Sequence, residues 1–113
     1  MPSIDKRGKE IEGNAKEFLL RKGFDNIQET PDEIGDFTAQ KNGIKYRIEV
    51  KSRGESGLKI PLKHKSTQQD RLLERARTYG ETPIFLVYFP ENKRWVAKSA
   101  YSSKVKPYDR SLF

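Results

Sequence analysis

The chain has no cysteine and a single histidine, His64. The first absence excludes disulfides and thiolate metal sites and is compatible with a reducing compartment. The second excludes a histidine metal cluster, and a catalytic triad would have to recruit His64 from a basic stretch where a surface role is the ordinary reading. No apolar run approaches the ~20 residues needed to span a bilayer, nothing resembles a signal peptide, and the expected location is cytoplasmic. Gly54 and Gly57 lack the spacing, and the following Lys-Ser/Thr, of a phosphate-binding loop. Acid is the scarcer charge: 16 Asp and Glu against 23 Lys and Arg leave a net charge of +7. Lys and Arg that neutralise phosphates release condensed counterions, so this imbalance fits a polyanionic partner.

What remains suits one small domain. The 113 residues are 34% hydrophobic and 35% charged, enough for one modest core and too little for a second. The expected architecture over residues 1–113 is a thin α/β sheet covered by a few helices. Residues 102–113 are polar with aromatic spots and suggest no element.

The strongest local signal is Asn42-Gly43 between β-prone segments, the pattern of a two-residue hairpin turn. Such a turn pairs Lys41 with Ile44, and each step outward adds a pair until Asp36 faces Glu49. Directly opposed strand residues have Cβ atoms about 4.5–5.5 Å apart, where like charges repel. A bound cation would turn that defect into a site. Lys51 points to the same side as Glu49, because strand side chains repeat every second residue. In this register Ile44, Tyr46, Ile48 and Val50 form an apolar face with Phe37 and Ala39. Lys45, Arg47, Glu49 and Lys51 share the other face with Asp36, Thr38 and Gln40. An ordinary amphipathic hairpin with a solvated charged face has the same pattern, but leaves the opposed acids unexplained.

Helical spacing of Ile11, Ala15, Phe18 and Leu19 predicts a helix over 5–22, closed by Gly23, with Glu12 on the edge of its buried stripe and Glu10 turned away. A strand over 24–28 and an acidic loop over 29–35 precede the hairpin. Residues 53–65 read as a long connection bearing Lys59, Lys63, His64 and Lys65, either a phosphate contact or a solvated loop. Ser66 and Gln69 have the spacing of a capping box for a helix whose apolar face is Leu72, Leu73 and Ala76 and whose end is Gly80. Residues 83–89 have the unbroken apolar character of a strand buried on both faces, followed by a turn at Asn92 and a strand at 95–97.

Helix, hairpin with an acid and then Glu-x-Lys, helix and further strands resembles the plan of the PD-(D/E)xK nuclease superfamily. More narrowly, residues 6–98 resemble the archaeal Holliday junction resolvases. The resemblance is carried by Arg7-Gly8-Lys9-Glu10-Ile11-Glu12, Lys22-Gly23-Phe24, Gly35-Asp36-Phe37, Ile48-Glu49-Val50-Lys51, Arg71 to Ala76, Val87-Tyr88-Phe89 and Arg94-Trp95. It implies a restriction endonuclease-like fold, a mixed sheet flanked by helices, and a homodimeric endonuclease cutting DNA four-way junctions. Glu12, Asp36 and Glu49 would surround one or two Mg²⁺ or Mn²⁺ ions, and Lys51 would orient the attacking water. Arg7, Lys9, Arg53, Lys59, Lys63, Lys65 and Gln68 are the candidate DNA contacts, with Gln68 or Gln69 also placed to assist catalysis; capping is the competing role for Gln69. Two departures stand out. Gly35 replaces the superfamily's proline, and the loop before Asp36 carries Glu29, Asp32 and Glu33 where resolvases often have small or basic residues. A nuclease without junction preference, or a domain of nuclease fold that binds nucleic acid without cutting, would share much of this pattern.

Overall fold

In a computed structural model, the described residues are 2–32, 34–59 and 68–113, with the side chains of 2–9 and 68 left aside. The first helix, α1 (Pro2–Arg21), starts earlier than its apolar periodicity suggests and stops where expected. Gly23 adopts φ +89°, which lets its N–H bond the carbonyl of Leu20 while Phe24 N–H bonds Leu19, the paired closure of a Schellman motif. Phe24 is thereby turned into the core.

Strand β1 (Asp25–Glu29) leads to the hairpin β2 (Phe37–Lys41) and β3 (Ile44–Ser52). Asn42 and Gly43 both have positive φ, the mirror-image turn whose twist matches antiparallel strands. The ladder runs from Lys41 with Ile44 to Phe37 with Ile48, the predicted register. The short β4 (Leu58–Lys59) interrupts the expected connection, and α2 (Gln68–Tyr79) follows. Strand β5 (Thr82–Phe89) runs parallel to β3, and β6 (Arg94–Ser99) returns antiparallel. The sheet order is β1-β2-β3-β5-β6.

The helices cover opposite faces of this sheet. Ala15, Phe18 and Leu19 of α1 pack with Phe37, Ala39, Ile48, Val50, Ile84 and Leu86. On the other side Leu72 packs with Phe85, Val87, Phe89 and Val96. Coverage of both faces explains the unbroken apolar run of β5. It also corrects one expectation: the charged side of the hairpin lies on the α2 side of the sheet, and Arg47, expected in water if that face were solvated, is only 4% exposed.

The segment after β6, unreadable from sequence, is ordered by backbone bonds. A strand β7 (Lys104–Val105) pairs with β4, and Gly57 at φ +83° has no room for a Cβ against the Val105 carbonyl. Leu112 N–H then bonds the Ala97 carbonyl, Ser111 Oγ accepts from Ala97 N–H, and Phe113 joins Phe24 and Tyr46 in an edge-to-face aromatic group. Among the described residues no helix is long and apolar enough to cross a membrane.

Candidate active site

Asp36 stands just before β2, and its placement is over-determined. Its N–H donates to Ile48 O at 2.7 Å, its carbonyl accepts from Thr30 N–H at 3.2 Å, and its Oδ2 accepts from Val50 N–H at 2.7 Å. The preceding Gly35 has φ +79°, and a Cβ there would lie 3.1 Å from Arg47 Cγ and 3.2 Å from Leu72 Cδ1. Proline fixes φ near −65°, so position 35 cannot carry proline in this conformation.

Glu49 meets Asp36 as the register requires, their carboxyl groups sharing a hydrogen bond. Burial and then the Asp36 charge push the Glu49 carboxyl up to about 7, and Lys51 only partly offsets them. Glu49 and Lys51 lie beside Phe85 and Val87 in the parallel ladder, and Lys51 Nζ is 3.7 Å from Glu49 Oε2. Both are largely enclosed. The arrangement is a pair of carboxylates at a strand end with an ammonium beside them, able to bind a hard cation and to face a phosphate.

Glu12 is half-buried on α1, which covers the opposite face of the sheet. Among the described residues no three His, Cys, Asp or Glu side chains form a group that could hold a metal ion, and the two acids brought together are Asp36 and Glu49. The pair still suits Mg²⁺ or Mn²⁺: its donors are hard oxygens, and Mg²⁺ is commonly held by one or two carboxylates plus water and substrate phosphates.

Arg53 is exposed, with Nη1 donating to Ser52 O, and Lys59 is exposed on β4. The side chains of Arg7, Lys9 and Gln68, and residues Lys63, His64, Lys65 and Ser66, lie outside the described residues. Gln69 Nε2 donates to the carbonyls of Ala100 and Ser102, at 2.8 and 3.1 Å, so its amide ties α2 to the segment after β6.

Sequence reasoning missed the group that holds the loop before Asp36. Arg47 Nε donates to Glu81 Oε1 at 2.6 Å, and its Nη1 donates to Asp32 Oδ1 at 3.1 Å and to Ile34 O at 2.7 Å. Its guanidinium also lies over the Tyr79 ring, and Arg75 pairs with the other oxygen of Asp32. Burial alone would raise the Asp32 pKa, but the Ile34 N–H and the two arginines hold it below the usual carboxylate range. Asp32 is therefore committed to the protein. Glu29 stays exposed, and Glu33 lies outside the described residues. A signal for Arg47 did exist: next to a strand buried on both faces, a charged residue at that register needs partners.

No family model matches the chain, and no curated protein matches it. Among solved structures it is similar to Hjc, a Holliday junction resolvase from the archaeal hyperthermophile Archaeoglobus fulgidus, with a TM-score of 0.70 and 19% identity over 89% of this chain and 84% of that one. The five-stranded mixed sheet between two helices is thus the α/β fold of an archaeal Holliday junction resolvase.

Proposed function

We propose that this protein is a divalent-metal-dependent endonuclease that hydrolyses DNA phosphodiester bonds, with four-way junctions as its preferred substrate. The observation that carries this reading is the enclosed Asp36–Glu49 pair with Lys51 beside it, on the fold of a junction resolvase. Asp36 and Glu49 would hold Mg²⁺ or Mn²⁺, with Glu12 a further candidate ligand from α1. When bound, such a cation supplies Lewis acidity at the scissile phosphate and its water.

The chain's own groups do the rest. The Val50 N–H fixes one oxygen of Asp36, so the carboxylate does not turn away when substrate arrives. Lys51 Nζ hydrogen-bonds the attacking water and counters the negative charge that grows on the phosphoryl oxygens. Water oxygen bonds to phosphorus as the bond to the leaving oxygen breaks, and the water's proton passes to a nearby base. A homodimer supplies one such site for each of two symmetry-related strands.

The test is incubation of the protein with labelled four-way junction, duplex, flap and single strand, with and without Mg²⁺. Paired nicks in the junction that need both metal and Lys51 are the expected result. Equal cutting of every duplex form would defeat the junction preference, and the absence of any cutting, with binding retained, would leave a non-catalytic DNA-binding domain.

A further inference from the structure

On the α1 side of the sheet, away from the carboxylate pair, lies a groove of about 570 Å³ between the end of α1, the start of β6 and the last residues. Arg21, Lys22, Lys93 and Arg94 line it together with half-buried Trp95 and Phe113, and no Asp or Glu does. None of these four cations takes part in the ion pairs formed among the described residues. Their known partners are neutral: Lys22 lies over the Phe18 ring, and Arg94 Nη1 donates to Pro107 O at 2.6 Å. Trp95 is braced between Phe18 and Tyr88, with ring centroids 5.7 and 4.9 Å away. Four like charges held around a concave aromatic surface repel one another, and an anion with several charges relieves that repulsion.

The position of the groove names the anion. Trp95 pairs with Tyr88 across the β5–β6 ladder, one step beyond Val87, which pairs with Lys51. The Lys93–Arg94 end of the groove and the carboxylate site therefore open at the same end of the sheet, on its two faces. We propose that the groove is a second phosphate-contact site, holding the sugar–phosphate backbone of the DNA beyond the segment at the carboxylate pair. This rests on the nuclease reading for its choice of DNA.

Trp95 is the sole tryptophan, so its emission reports the groove directly. The full chain is titrated with a four-way junction in metal-free buffer at several salt concentrations, following Trp95 emission and the anisotropy of labelled DNA. The triple variant Arg21→Gln/Lys22→Gln/Lys93→Gln should lose the DNA-induced emission change. It should also flatten the log–log salt dependence by about 2 to 3, at roughly 0.9 per lost phosphate contact. Its melting temperature and its cleavage rate at saturating DNA should match the wild type. A control triple on other surfaces, Lys45→Gln/Arg77→Gln/Lys104→Gln, should keep the emission change and lose less of the slope. An unmoved slope and emission in the groove variant, or an equal loss in the control, overturns the proposal. Loss in the groove variant alone, from a wild type that never cuts, upholds the groove and removes the nuclease reading. A wild type that binds no DNA removes both.

Discussion

Burial beside Asp36 makes Glu49 keep its proton up to about pH 7 in the folded chain, against 4.5 for the ordinary carboxyl. Between those values the folded state binds more protons than the unfolded one, so in metal-free buffer this group's contribution to stability falls as pH rises from about 4.5 to about 7. The full shift corresponds to about 3 kcal/mol. Glu49→Gln should flatten that part of the pH–stability curve in urea titrations, and an unaltered slope would show that Glu49 titrates normally. Asp32, and Asp109, which is held low by hydrogen bonds from Lys98 Nζ and the Lys106 N–H, act in the opposite sense and lose their stabilisation only as pH drops below the usual carboxylate range. Divalent metal competes with the Glu49 proton, so Mg²⁺ or Mn²⁺ should raise the melting temperature more at pH 8 than at pH 5.5, and Asp36→Asn should blunt the response. At Gly35 the constraint is steric: positive φ and the nearby Arg47 and Leu72 should make Gly35→Ala cost about 1–3 kcal/mol in chemical denaturation, with Gly35→Pro worse.

Arg47 joins three pieces of the fold: strand β3, the loop carrying Asp32, and Glu81 just past α2. The Gly80 turn sets up the last of these, since its φ of +67° lets Glu81 N–H cap the Ala76 carbonyl and delivers the Glu81 side chain to Arg47. Removing one partner from a buried ionic group leaves the others uncompensated, so Arg47→Met should cost about 3–5 kcal/mol. A double-mutant cycle of Arg47→Met with Glu81→Gln should show strong coupling; additive losses would mean that the two act separately. This is also where sequence reading reached its limit. The hairpin register, the C-terminal ends of both helices and the juxtaposition of Asp36 with Glu49 were legible because they follow from local rules: a two-residue turn, glycine closures and side-chain period. Arg47 meets partners distant in sequence, and its burial depends on α2 lying over that face, which no local pattern specifies. Gln69 has capping-box spacing toward Ser66, which lies outside the described residues, and its Nε2 has a second use that the spacing does not disclose, donating to the Ala100 and Ser102 carbonyls. How Glu12 stands to the pair was not legible either, because periodicity assigns a side of the helix and leaves open how that helix crosses the sheet.

For the molecule as a whole, the final residues decide what the sheet can do in company. Strands at a sheet's edge offer unpaired N–H and C=O groups to any other extended chain, and proteins that stay dispersed block them. Here the outer side of β6 is occupied at Ala97 by Ser111 and Leu112. The opposite edge, β1, is irregular: its register shifts between Asp25 and Gln28, and Asn26 sits at φ 49°. Both margins are thus poor templates for strand addition at these points. Truncation after Arg110 should uncover Ala97 and withdraw Phe113 from its aromatic group. The shortened chain should form concentration-dependent aggregates, visible by light scattering and thioflavin binding, under conditions where the full chain remains dispersed. Equal dispersity of the two would assign those three residues to core packing alone. The stretch that looked least informative in the sequence is, on this account, a selvedge that keeps the weave from continuing into a neighbour.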